Sequence, residues 1–147
     1  GLNRAMFVTM LARAVGESLP DSAAGFSDVK GGQWYTAAMS WALRKNLIRG
    51  YEDGSYRPEA LITREEMCVI LDRLMQQRGE TLHTGKLSFA DTASISVWAR
   101  DSVARMTALG LIRGAENNRF FPQRTTTRAT ASPTTGRSLT AGARAAP

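Results

Sequence analysis

The sequence has a single cysteine, Cys68, so no internal disulfide can form and a structural thiol is the expectation. It has a single histidine, His83, with no ligand set nearby for a metal. A lone histidine would also have to serve every Ser/His/Asp or Cys/His arrangement, so no nucleophilic constellation can be assembled and no cofactor is implied. The longest apolar run is a few residues, against about 20 for a membrane span, so no membrane insertion is expected. No basic, apolar signal segment opens the chain, and it does not begin with Met; it reads as a piece of a longer protein. Thirteen glycines and five prolines in 147 residues are too few for a collagen or a low-complexity chain, and 43% hydrophobic residues suffice for a domain with a real core.

The net charge of +6 raises the question of nucleic acid. Residues 1–124 hold 16 Lys/Arg against all 13 acids, and the last 23 residues add Arg128, Arg137 and Arg144 with no acid. Half of the excess is a tail effect and the body mixes both signs, which argues against a phosphate-binding face and against a nucleic-acid partner.

What the chain does have is an internal repeat. Phe26-Ser27-Asp28, Trp34, Leu47-Ile48-Arg49-Gly50, Pro58 and Thr63-Arg64 return as Phe89-Ala90-Asp91, Trp98, Leu111-Ile112-Arg113-Gly114, Pro122 and Thr127-Arg128. The offset is 63 for the first block and 64 from Trp34 onward. Arg4, Phe7, Met10, Leu11 and Ala14 match Arg64, Met67, Ile70, Leu71 and Leu74 at an offset of 60. The chain therefore holds the last helix of a truncated first copy with a linker (1–25), a complete second copy (26–88) and a third (89–129), followed by a tail (130–147) expected to be disordered.

Each copy reads as helix, loop, helix. Tyr35, Met39 and Ala42, and in the next copy Ala99, Val103 and Met106, fall at i, i+4, i+7 and make one buried stripe. Asn46 and Gly110 share the position that ends this helix, and both tolerate the left-handed conformation of a helix stop. Asp53-Gly54 marks a tight turn, replaced by Asn117-Asn118 in the third copy. Thr63-Arg64-Glu65-Glu66 fits a capping box ahead of the apolar face of Met67, Ile70, Leu71 and Leu74. Glu65-Glu66 is a helix-start pair rather than an acid/base pair, and an enzyme is not expected. In the third copy Thr130 replaces the box glutamate, and Ala131, Thr134, Thr135 and Ser138 replace the apolar face. Pro133 falls inside the expected helix, at a cost of about 3 kcal/mol. The final helix is expected to be absent or badly formed, and a frameshift or wrong gene end would explain so abrupt a loss of similarity.

Phe26-x-Asp28, Trp34, the Gly50-Tyr51-x-Asp53-Gly54-x-Tyr56-x-Pro58 loop and Ile62-Thr63-Arg64-Glu65-Glu66 resemble the S-layer homology repeat, a bacterial cell-surface anchoring module. The last motif is similar to the family's Thr-Arg-Ala-Glu, with Glu65 at the alanine. The resemblance implies an all-α fold of helix-loop-helix repeats of about 63 residues around a pseudo-threefold axis, here incomplete at both ends. It also implies a non-catalytic module outside the cell that binds cell-wall polysaccharide noncovalently, typically a secondary polymer carrying pyruvylated N-acetylmannosamine.

A ketal pyruvate presents a carboxylate, the natural partner of a guanidinium fork. Arg64 stands one residue after the Thr63 cap, where free N–H groups and the helix dipole favour an anion, and Arg4 and Arg128 share its place. Gly50 and Gly114 would let a ligand approach the backbone. Trp34 and Trp98 are expected in the core or half-core by size, with a sugar platform as their other use. Asp28 and Tyr51 complete the candidate site. The groove joining the first and second copies is the expected best site, and one depending on Arg128 the least effective. A helical protein–protein assembly module without sugar binding, and binding to peptidoglycan, are the alternatives.

Overall fold

In the computed structural model, residues 1–20 and 25–127 are described. The architecture is all-α: α1 (Arg4–Val15), α2 (Thr36–Arg44), α3 (Arg64–Gln77) and α4 (Arg100–Ala108). Single 3-10 turns lie at Thr92–Ser94, Val97–Ala99 and Glu116–Asn118. Extended pairing among the described residues is confined to isolated bridges such as Asn3 with Leu61 and Thr63 with Thr125. No helix among the described residues is long and apolar enough to cross a membrane. Arg128, the final helix and the tail lie outside the described residues.

Local chemistry sets the helix ends. The Asn3 side chain accepts from the Met6 N–H (2.8 Å), and Gly16 closes α1 at φ 75°. At α3 both halves of the capping box form: Thr63 Oγ1 accepts from the Glu66 N–H, and the Glu66 carboxylate accepts from the Thr63 N–H (3.0 Å). Asn46 (φ 56°) and Gly110 (φ 77°) take the left-handed turn that their shared position requires. Five of the six expected stripe positions are inward: Met39, Ala42, Ala99, Val103 and Met106 are buried, whereas Tyr35, just ahead of α2, is only half-buried.

The chain divides into two compact units, Leu2–Leu61 and a second beginning at Ile62. In the first, α1 packs on α2; in the second, α3 packs on α4. Packing is therefore out of phase with the sequence copies. Each unit joins the second helix of one copy to the first helix and loop of the next. Leu2, Val8, Val15, Met39, Leu47, Ile48 and Tyr56 form the first core, and Ile62, Cys68, Leu74, Ile95, Val103, Met106 and Phe120 the second. Burial pushes the Cys68 thiol far above its ordinary range, leaving it inert.

The two helix–helix contacts use different chemistry at matching positions. The first unit has Ala12, Ala38 and Trp41, with the Trp41 indole N–H donating to Glu17 (3.1 Å), which also pairs with Lys45 (2.7 Å). The second has Asp72, Ser102 and Arg105, joined by a two-pronged Arg105–Asp72 pair (2.8 and 2.7 Å) and a Ser102 hydroxyl bond (2.8 Å).

Candidate functional site

The same junction is built twice, once in each unit. In the first, the N–H groups of Arg4 and Ala5 at the start of α1 donate to the carbonyls of Ala60 and Pro58 (both 2.9 Å). In the second, Arg64 and Glu65 donate to Arg124 (3.0 Å) and Pro122 (3.1 Å). These N–H groups were expected to be free for an anion. The chain's own loop carbonyls occupy them, because a helix start buried against a loop must satisfy its donors.

The arginine side chains extend the same clasp. Arg4 donates through Nε to the Tyr56 carbonyl (3.0 Å), lies over the Tyr56 ring (4.2 Å) and is only 8% exposed. Arg64 donates through Nε to the Phe120 carbonyl (2.8 Å) and through Nη2 to the Arg113 carbonyl, over the Phe120 ring (4.7 Å). Arg64 stays half-exposed, and burial lowers its pKa: the loss of water around the charge, with Arg124 nearby, outweighs the attraction of the Asp91 and Glu116 carboxylates.

Asp28 holds the facing loop, its two carboxylate oxygens accepting from the N–H groups of Tyr56 and Arg57 (2.8 Å each). Asp91 does the same for Phe120 (2.7 Å) and Phe121 (2.8 Å). Between them the two aspartates fix a backbone that few side chains adopt: Arg57 and Phe121 sit at φ 60° and 56°. Tyr51, 38% exposed, lies under the Arg57 guanidinium at 3.7 Å. In the second unit an arginine again covers an aromatic, here Arg124 over Phe121 (3.7 Å), but at other positions. Arg124 also pairs with Glu116 (2.6 Å), and that contact holds the Glu116 carboxyl at about 2.

Gly50 and Gly114 do not present open backbone. A Cβ on Gly50 would stand 2.7 Å from the Ser55 carbonyl and 2.9 Å from the Phe26 ring, and one on Gly114 2.5 Å from the Phe89 ring. The space expected for a ligand is filled by the repeat's own phenylalanine. Gly114→Ala, and Gly50→Ala in the first unit, should each cost about 2 kcal/mol through overpacking, read as a lowered urea midpoint; unchanged midpoints would show that the rings can yield.

Trp34 and Trp98 also depart from expectation: they are 60% and 62% exposed rather than buried. Both precede their helix, where the residue just after each tryptophan turns further inward: Ala99 is buried and Tyr35 half-buried. Glu65, read as a helix-start residue, is 2% exposed and accepts from the Ser96 N–H (2.9 Å), the Ser96 hydroxyl (2.7 Å) and the Gln123 amide. The only hint of this knot in the sequence is the acid at the family's alanine position, accompanied by Ser96 and Gln123 where the second copy has Gly32 and Glu59.

The S-layer homology domain matches residues 25–68 and 88–132. The chain belongs to the S-layer homology domain family. S-layer homology domains are cell-surface modules of bacteria. This one is 40% identical over 135 residues to an amylopullulanase of Thermoanaerobacterium thermosulfurigenes, and 38% identical over 135 residues to exoglucanase XynX of Acetivibrio thermocellus. Each alignment takes in 88% of this chain, but only 7% of the amylopullulanase and 12% of the exoglucanase. A cellulosome-anchoring protein of Acetivibrio thermocellus is 26% identical over 93% of the chain and 31% of its own length. The S-layer homology repeat is thus a part shared by proteins whose names describe different work.

Proposed function

We propose that this chain is a non-catalytic anchor that holds a larger protein at the bacterial cell surface by binding cell-wall polysaccharide, with a pyruvylated sugar as the recognised unit. The observation that carries the reading is the pair of tryptophans left in water at matching positions of the two units. A ring of that size normally contributes by burial, and an exposed flat face is suited to stacking on a sugar. Arg64 supports it. Two of its five N–H groups bond to carbonyls, and its under-solvated charge favours a carboxylate partner. Arg4, almost wholly enclosed, serves as the clasp of its own junction.

Val97, 79% exposed beside Trp98, favours a second reading in which the second unit docks on another protein. Co-sedimentation with purified wall sacculi separates the two. Under the anchor reading, Trp34→Ala/Trp98→Ala and Arg64→Ala each weaken binding about tenfold, and mild acid removal of ketal pyruvate does the same. Binding indifferent to the acid treatment would point to peptidoglycan. No binding to sacculi, with concentration-dependent self-association, would establish assembly instead.

A further inference from the structure

The Glu65 knot is absent from the first unit, and the difference falls on the approach to Trp98. Ser96 stands at the corner where extended chain at Ile95 (φ −73°, ψ 128°) enters the 3-10 turn Val97–Ala99, with Trp98 at its centre. The two oxygens of the Glu65 carboxylate hold that corner. One accepts from the Ser96 N–H (2.9 Å), the other from the Ser96 hydroxyl (2.7 Å) and from the Gln123 amide. These donors are neutral, and Glu65 is 2% exposed. Neutral donors offset less of the cost of taking a carboxylate out of water than a cation does.

The first unit reaches Trp34 by another route. Ala5, Gly32 and Glu59 stand at the positions of Glu65, Ser96 and Gln123. Gly32 turns the chain through the left-handed region (φ 78°), where Ser96 keeps an ordinary φ of −58°. The Thr36 hydroxyl ties the turn, donating to the Lys30 carbonyl (2.6 Å) and accepting from the Gln33 N–H (3.0 Å). Tyr35 braces the Trp34 ring edge-on at 5.0 Å. The second unit has Ala99 and Arg100 in place of Tyr35 and Thr36, and so lacks both devices. Arg100 Nε donates to the Ile95 carbonyl (3.2 Å), one residue short of the corner. The carboxylate appears where the local ties to the tryptophan turn are missing.

We propose that Glu65 is a positioning residue: by fixing the Ser96 corner it sets the orientation in which the exposed Trp98 ring meets its ligand. This role rests on the polysaccharide reading above and adds to it a side chain that does not touch the sugar. A platform held in place before the ligand arrives loses less conformational freedom on binding.

The test labels the chain with 5-fluorotryptophan, whose three ¹⁹F signals are assigned with Trp98→Phe, beside sacculus co-sedimentation. In Glu65→Ala the Trp98 signal is expected to shift or broaden, while Trp34 and Trp41, in the first unit, keep theirs. Binding to sacculi should weaken about threefold, as in Trp98→Ala, and no further when the two are combined. Proline supplies a rescue. It fixes φ near −65°, close to that of Ser96, and Ile95 already has the extended backbone that precedes a proline. Glu65→Ala/Ser96→Pro should therefore restore both signal and binding, which a residue needed only for α3 would not allow. Circular dichroism verifies each fold, and Ser96→Ala, which removes a single bond, moves the Trp98 signal the same way if Glu65→Ala does not fold. A Trp98 signal and binding unchanged by these variants, or losses that add to those of Trp98→Ala, overturn the role of Glu65 and leave the anchor standing. A wild-type chain that does not bind sacculi overturns both.

Discussion

Asp91→Ala is expected to destabilise the second unit by about 3 kcal/mol. Two backbone N–H groups lose a charged acceptor, each worth about 1.5–3 kcal/mol when buried and less here because Asp91 is half-exposed. The left-handed conformation of Phe121, an unfavourable one for a bulky residue, loses the contact that imposes it. Asp91→Asn should recover part of the loss, since one amide oxygen can still accept. Acid should imitate the substitution. Burial raises the Asp91 pKa, but the Phe120 and Phe121 N–H groups outweigh it and the net shift is downward. A carboxylate with a lowered native pKa contributes fully above its unfolded value of about 3.9, and the contribution is lost as pH falls through the native one. Urea denaturation at pH 7 and pH 3, with hydrogen exchange at the Phe120 and Phe121 amides, reads both effects. If Asp91→Ala leaves midpoint and exchange unchanged, the aspartate is not what holds the loop.

The parts legible in the sequence are those fixed by neighbours along the chain. Asn46 and Gly110 end their helices because each tolerates φ > 0, and the Thr63–Glu66 box needs only residues three apart. The stripes at Met39 and Val103 follow from helical periodicity alone. What the sequence conceals is which helix packs on which. A repeat is recognised by similarity, and similarity carries no phase for packing, so the pairing of α1 with α2 and of α3 with α4 is visible only in three dimensions. That hidden phase decides the fate of the site residues. Arg4 and Arg64 stand where helix starts usually leave donors open, but the loop of the following copy supplies carbonyls to them. Gly50 reads as an approach route until Phe26 is seen against it. Arg57 and Phe121 give no local sign of their left-handed backbone, since neither residue type favours it; the instruction comes from aspartates 29 and 30 residues earlier. The tryptophans mislead for a related reason. Size argues for burial, and one residue of helical phase gives the buried place to Ala99 and a half-buried one to Tyr35 instead.

Asp72→Ala should cost about 3 kcal/mol, because it strips the partner from a guanidinium that is 23% exposed and orphans the Ser102 hydroxyl. The network should also be replaceable as a whole. The first unit performs the same helix–helix contact with Ala12, Ala38 and Trp41, so Asp72→Ala/Ser102→Ala/Arg105→Trp transfers a solution the chain already uses. The triple variant is expected within about 1 kcal/mol of wild type, since a buried ion pair exchanged for well-packed apolar groups is often neutral or stabilising. Its pH response should differ more than its stability. Burial raises the Asp72 pKa, yet bonds from Arg105, Ser102 and Gln76 bring it below the ordinary value. The wild-type network therefore contributes above pH of about 4 and fades below it, while the triple variant has no Asp72 to titrate. Thermal unfolding of wild type, single and triple variants between pH 2.5 and 7 tests this directly. A triple variant as unstable as Asp72→Ala would mean that the two units have diverged in backbone as well as in side chain, and that the polar network is a requirement of the second unit.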